Sequence, residues 1–125
     1  MNRLISVTML LGSFLFINCQ SKTNSTITKI DKAYLQEHVL NKDVQLVDVR
    51  TAEEYAAGHI GNAVNFNVVQ GDNFLEQIKT LDKDKPVYLY CKAGGRSNRA
   101  AQLLKEMGFA DIFDYSGGYN DWVTK

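Results

Sequence analysis

The feature that most constrains this chain is a pair of short, nearly continuous apolar runs, each the length of one buried β-strand. Val44–Val49 is rich in β-branched residues. Pro86–Tyr90 starts with a proline, which fits only as a first strand residue because it cannot donate to a β-ladder. Runs of this kind are typical of strands covered on both faces. They predict a parallel sheet with Pro86–Tyr90 at its centre.

Helical patterns alternate with these runs, which predicts an α/β fold with helices on both faces of the sheet. Thr51 and Glu54 match a capping box at the start of a short helix. A helix from Arg96 or Ser97 to Met107 carries an apolar stripe. The other predicted elements are an edge strand at Thr28–Ile30, a helix capped by Asp31, a minor strand at Ala63–Asn65, a helix at Phe74–Leu81, a strand at Ile112–Phe113 and a last turn with Tyr119 and Trp122.

The length and the net charge of the chain exclude some classes of function. The 125 residues suit one domain, and a hydrophobic share of 45% is enough for a core. Fourteen basic and fourteen acidic residues cancel, so no overall field attracts nucleic acid. Two histidines and two distant cysteines give no metal-ligand spacing, and neither a metal nor a cofactor is predicted.

The first residues have the pattern of an export signal. A positive start at Asn2-Arg3 is followed by an apolar run of fourteen residues, Leu4–Ile17. A membrane-spanning helix needs roughly 20 residues, so a signal peptide over residues 1–18 is favoured over a permanent membrane helix.

Cys19 follows the apolar run directly, and its surroundings resemble a bacterial lipobox. In that pattern the cysteine becomes the acylated first residue of the mature protein, although Asn18 stands where a small residue is usual. Residues 19–26 are then predicted to be a lipidated polar tether and residues 27–125 the folded domain. This predicts a protein of the bacterial cell envelope, anchored to a membrane in the periplasm. The alternative is ordinary cleavage nearby, which leaves Cys19 as an unmodified thiol.

A reactive cysteine is predicted at Cys91, directly after the central strand and before a helix. Glycines behind it allow backbone amides to turn inward and form a nest for an anion, and the start of the helix adds positive potential. Such surroundings favour the thiolate. The alternative is a small buried cysteine beside a tight turn. The predicted catalytic residue is Cys91, and the predicted binding residues are Lys92, Ala93, Gly94, Gly95, Arg96 and Ser97.

The loop Cys91–Ser97 resembles the active-site loop of the rhodanese family. The segments Asp48–Arg50, Glu54-Tyr55 and Gly58–Ala63 resemble that family's upstream signature, and Gly117-Gly118 with Trp122 resembles its closing one. The resemblance extends over residues 28–122. It implies a three-layer α/β domain with a mostly parallel sheet. It also implies a thiosulfate sulfurtransferase-like enzyme, which transfers sulfane sulfur from a small anionic donor through a Cys91 persulfide to cyanide or a thiol.

Several roles and alternatives accompany this resemblance. Lys92 and Arg96 are expected to attract the anionic donor, and Asp48 and Arg50 to form an ion pair that supports the loop. The spacing Cys-x4-Arg is one residue shorter than the Cys-x5-Arg of tyrosine phosphatases, which disfavours phosphate. An alternative is a sulfur carrier that serves a protein acceptor with little small-molecule turnover. A thiol redox role lacks a nearby second cysteine, and His59 is interpreted as a structural hydrogen-bonding residue.

Overall fold

The computed structural model describes residues 24–125. The strands in this range are β1 (Thr26–Ile30), β2 (Gln45–Asp48), β3 (Val64–Asn65), β4 (Val87–Tyr90) and β5 (Asp111–Tyr115). The helices are α1 (Lys32–His38), α2 (Ala52–Ala57), α3 (Asp72–Ile78), α4 (Gly95–Glu106) and α5 (Gly118–Val123), with one 3₁₀ turn at Val68–Gln70. The predicted signal peptide, Cys19 and residues 19–23 of the predicted tether lie outside the described range.

The five strands form one sheet in the order β1-β5-β4-β2-β3, and every neighbouring pair is parallel. The predicted central strand, β4, is the middle strand of this sheet, and all four of its residues are buried. The prediction of a three-layer α/β fold with a parallel sheet is therefore confirmed. Parallel strands end at the same edge of a sheet, so the ends of β2, β4 and β5 lie side by side.

Helices cover both faces of the sheet and produce two apolar cores. On one face α3 and α4 pack Phe74, Ile78 and Leu104 against the sheet. On the other face α1, α2 and α5 contribute Leu35, Tyr55 and other side chains. The aromatic rings of Tyr90 and Tyr115, both almost fully buried, belong to this second core. Burial on both faces accounts for the nearly continuous apolar runs in the sequence.

Element boundaries differ from the predicted ones by a few residues. The first strand begins at Thr26 instead of Thr28, because β1 pairs with β5 over five residues that include polar ones. For the same reason β5 extends beyond Ile112–Phe113 at both ends. The predicted helix Phe74–Leu81 begins earlier, at Asp72, and ends at Ile78. Main-chain pairing tolerates polar side chains, so an apolar pattern alone locates such boundaries poorly.

No helix within residues 24–125 has both the length and the apolar character needed to cross a bilayer.

Candidate active site

Cys91 lies directly after β4, at the edge where the parallel strands end. Cys91 is only 1% exposed and belongs to the apolar core beneath α4. Within the described chain Cys91 forms no disulfide. The thiol is thus held on a fixed strand between the sheet and the helix that follows.

The loop after Cys91 directs an amide at the sulfur. The Gly94 amide donates to Cys91 Sγ across 3.0 Å. Gly94 has a φ of +101°, and a Cβ atom there would lie 2.6 Å from the Ser116 carbonyl oxygen. Such a φ and such a close approach both require glycine. Gly94 is therefore needed for the turn that aims its own amide at the sulfur.

The start of α5 holds the outer side of the same loop. The Tyr119 amide donates to the Cys91 carbonyl at 2.8 Å, and the Asn120 amide donates to the Lys92 carbonyl at 3.0 Å. These bonds occupy the two carbonyls with amides of α5. A Cβ at Gly118 would lie 2.6 Å from both carbonyl oxygens. Gly117-Gly118 was recognisable in the sequence as a closing signature, but this contact was not.

The surroundings of Cys91 favour the thiolate. Burial by itself raises the pKa of the thiol. The adjacent Ser97 side chain and the amides of Ser97, Gly94 and Ala93 outweigh this effect, and the pKa lies below the ordinary value for cysteine. The prediction of a cysteine activated by a nest of donors agrees with this geometry. A lowered pKa of this kind is typical of reactive cysteines.

Ser97 connects Cys91 to an acidic residue that was not predicted from the sequence. The Cys91 thiol lies 3.6 Å from Ser97 Oγ, and that hydroxyl donates to Asp114 Oδ1 at 2.7 Å. Ser97 and Asp114 are both fully buried. The one available signal was an acidic residue between the apolar residues of the last strand. The Ser97 side chain thus lies in the protein interior, between the Cys91 sulfur and the Asp114 carboxyl group.

The guanidinium of Arg96 forms a bidentate pair with Glu54. Its two terminal nitrogens donate to the two carboxylate oxygens at 2.6 and 2.9 Å. These bonds lower the pKa of Glu54 from 4.5 to about 2. Arg96 was predicted to attract an anionic donor, and in this structure its planar fork is occupied by the carboxylate. Lys92 is exposed and forms no ion pair with any residue in the range 24–125.

The structure pairs Asp48 with Arg50 beside the loop. The Arg50 guanidinium donates to Asp48 Oδ2 at 2.6 Å and to the Gly58 carbonyl at 2.6 Å, and both charged residues are buried. Its planar group lies 4.3 Å from the centre of the Tyr119 ring. Arg50 thus links the end of β2 to α5, which holds the Cys91 carbonyl.

His59 lies on the surface, with its ring stacked on Tyr55 at 4.0 Å and its Nδ1 3.2 Å from the Tyr55 carbonyl oxygen. These contacts match a structural histidine. Residues 24–125 contain no group of three or more His, Cys, Asp or Glu side chains that could hold a metal ion.

Comparison with known proteins yields a consistent set of relatives. The model of the rhodanese-like domain matches residues 31–125. The Bacillus subtilis protein YqhL is 42% identical over 84 residues, which cover 67% of this chain and 64% of YqhL. The thiosulfate sulfurtransferase GlpE of Shewanella oneidensis is 38% identical over 81 residues, 65% of this chain and 77% of that protein. The chain therefore spans just under two thirds of YqhL and more of GlpE.

Solved structures agree with the sequence relatives. A rhodanese-like domain protein from Staphylococcus aureus superposes with a TM-score of 0.68 at 31% identity, covering 78% of this chain and 93% of that one. A rhodanese-related protein from Thermoplasma volcanium gives 0.67 at 31% identity, covering 77% and 90%. Together with the family match over most of the chain, these similarities show that the protein belongs to the rhodanese-like domain family.

Proposed function

We propose that this protein is a sulfurtransferase that uses Cys91 to carry sulfane sulfur from a small anionic donor, such as thiosulfate, to a thiophilic acceptor. The Cys91 thiolate attacks the outer sulfur of thiosulfate. A new S–S bond forms as the S–S bond of thiosulfate breaks, and sulfite leaves with the electron pair. Cyanide or a thiol then takes the outer sulfur and releases the thiolate.

One observation carries this proposal: a buried cysteine sulfur accepts from the Gly94 amide in a loop whose Cys91 and Lys92 carbonyls are hydrogen-bonded to amides of α5. Fixed amide donors stabilise a thiolate or persulfide charge without rearranging during the reaction. The names of the thiosulfate sulfurtransferases among the relatives support the same chemistry.

Lys92 is the residue that we propose to attract the donor. It is the exposed cation of the loop, whereas the Arg96 fork is occupied by Glu54. As a point charge on a flexible stem, Lys92 can meet a small dianion without a fixed geometry. Arg96 is better suited to hold the loop against α2.

The test is a steady-state assay of thiocyanate formation from thiosulfate and cyanide. We expect ping-pong kinetics and a KM for thiosulfate that rises several-fold in Lys92→Ala, an effect that added salt reduces. Lys42→Ala, a matched exposed lysine outside the loop, is expected to leave the KM unchanged. No thiocyanate from the natural protein would reject turnover of these substrates. Sulfur on Cys91 without turnover would favour the alternative of a carrier with a protein acceptor.

We also propose that the domain is exported and held at a membrane of the bacterial envelope by a lipid on Cys19. The apolar run Leu4–Ile17, the position of Cys19 directly after it and the polar residues that follow support this proposal. An anchored sulfurtransferase would meet sulfur compounds outside the cytoplasm.

A further inference from the structure

A buried acidic residue, Asp114, is linked to the Cys91 nucleophile through Ser97. The proposed sulfur transfer does not use this residue. Asp114 is fully buried on the side of the sheet that α4 covers. Its Oδ1 accepts from Ser97 Oγ at 2.7 Å, and its Oδ2 has no hydrogen-bond partner among residues 24–125. Buried carboxylates are costly unless they are paired or neutral. The position of Asp114 therefore needs an explanation.

Few charged groups act on this carboxyl. Lys29 of β1 is in register with Asp114, but its side chain is exposed. The register partner on β4 is Leu89, which cannot ionise, and α4 presents Ser97. Burial raises the pKa of Asp114, and the hydroxyls of Ser97 and Ser116 and the charge of Lys29 lower it by less. Within residues 24–125, the hydrogen bonds of Asp114 lead through Ser97 to one further titratable group, Cys91.

The hydroxyl between the two groups has only one hydrogen. When that hydrogen is donated to Asp114, Ser97 can only accept from the Cys91 thiol, which lies 3.6 Å away. When Asp114 is protonated, the acid can donate to Ser97 instead, and the Ser97 hydrogen becomes available to a Cys91 thiolate. The geometry thus connects two protonation states, thiol with carboxylate and thiolate with carboxylic acid.

We propose that Asp114 accepts the proton of Cys91 through Ser97, so that one proton and one negative charge are shared between the nucleophile and the buried acid. The inference rests on the proposed function in taking Cys91 as the nucleophile. The S–H proton passes to Ser97 Oγ while the Ser97 hydroxyl proton passes to Asp114 Oδ1. The products are a thiolate and a neutral carboxylic acid, and no external base is consumed.

The proton transfer moves the negative charge from Asp114 to Cys91, where more hydrogen-bond donors stabilise it. A negative charge on Asp114 has the Ser97 hydroxyl at 2.7 Å and the Ser116 hydroxyl nearby, while its Oδ2 has no hydrogen-bond partner among residues 24–125. A negative charge on Cys91 has the Gly94 amide at 3.0 Å and, once Asp114 is protonated, the Ser97 hydroxyl. Asp114 acts through Ser97 and does not contact the sulfur, so it is a positioning residue for the proton.

The test measures the rate at which iodoacetamide alkylates Cys91 in the full chain across pH, followed by mass spectrometry of the Cys91 peptide so that Cys19 does not interfere. Coupled groups titrate in two macroscopic steps. We expect the rate in the natural protein to rise in two steps separated by more than about one pH unit. Asp114→Asn, whose amide donates to Ser97 permanently, should give one step, and so should Ser97→Ala.

The matched control is Asp111→Asn, an exposed aspartate on the same strand, which should keep the two-step profile. Superimposable profiles for the natural protein and Asp114→Asn would overturn the inference. A second measurement needs no substitution at Asp114: the infrared band of the last aspartic acid to ionise should persist to higher pH in the natural protein than in Cys91→Ser. Identical titrations would contradict the shared proton.

Alkylation of Cys91 does not require sulfur transfer. The experiments can therefore reject either the shared proton or the sulfurtransferase activity without rejecting the other. A two-step alkylation profile without any persulfide would reject the sulfurtransferase and retain the shared proton. Persulfide formation with a one-step profile would do the reverse.

Discussion

At the scale of single residues, the hydrogen bond to the Cys91 sulfur depends on the backbone conformation of Gly94. Gly94 combines a φ of +101° with an amide 3.0 Å from Sγ. Its neighbour Gly95 starts α4 and has no atom within 4 Å of the position where a Cβ would lie. The two adjacent glycines therefore differ in function, although both were predicted as binding residues.

Gly94→Ala is expected to disturb both stability and reactivity. A left-handed conformation costs an L-residue about 1–2 kcal/mol, and the contact with the Ser116 carbonyl adds to this. Displacement of the amide should slow persulfide formation roughly 100-fold. Denaturant unfolding and the rate of sulfur loading measure the two effects. Gly95→Ala should unfold normally and load sulfur normally; equal damage in both variants would contradict a special role for Gly94.

The residues of the site were predicted unevenly. Cys91 and its loop were identifiable because glycines, cations and a strand end are all local in sequence. Asp114 was not, because its link to Cys91 through Ser97 joins two strands that are neighbours only in the folded sheet. The bidentate partner of Arg96 was missed for the same reason, since Glu54 lies 42 positions away.

At the scale of elements, the start of α2 and the active-site loop are tied together. Glu54 completes the capping box with Thr51 and also binds Arg96. The capping box was predicted from sequence and is confirmed, because it depends on residues three positions apart. The Glu54 side chain thus stabilises both the start of α2 and the loop around Cys91.

Glu54→Gln is expected to lower the free energy of unfolding by about 1 kcal/mol at pH 7, as is usual for partly exposed pairs. Its pKa is lowered from 4.5 to about 2 on folding. The stabilisation by the carboxylate is therefore complete above the unfolded value and is lost as pH falls toward the folded one. Stability curves of the two proteins should converge in that acidic range. The control is Glu53→Gln, an exposed neighbour; an equal effect there would contradict the pair.

Strands and helices differed in how well the sequence predicted them. The buried strand β4 and the capped helices α1 and α2 were located well, because burial on both faces and side-chain caps leave local patterns. The ends of β1 and β5 were located less well, because main-chain bonds between two strands extend them through polar residues. The 3₁₀ turn at Val68–Gln70 was not predicted.

At the scale of the whole molecule, the sheet order places the nucleophile centrally. β4 is flanked by β2 and β5, which carry Asp48 and Asp114 toward the same edge. The fold class was predictable because two apolar runs and alternating helices permit few arrangements. We predict that the signal and Cys19, which lie outside the described range, hold this domain at a membrane.

The anchor prediction is tested by fractionating a bacterial host that expresses the full chain. We expect the natural protein to sediment with membranes, to resist a salt wash and to dissolve in detergent. Cys19→Ala should release it to the soluble fraction, while Cys91→Ala should not. A mature protein whose Cys19 carries no lipid would refute the anchor.

In the proposed reaction, Cys91 carries the transferred sulfur as a persulfide. The most direct measurement is the intact mass of the purified protein after incubation with thiosulfate, with Cys91→Ser treated in parallel. We predict the gain of one sulfur atom on Cys91 in the natural protein, its loss to cyanide as thiocyanate, and no gain in Cys91→Ser. An unchanged mass in the natural protein, or an equal gain in Cys91→Ser, would contradict it.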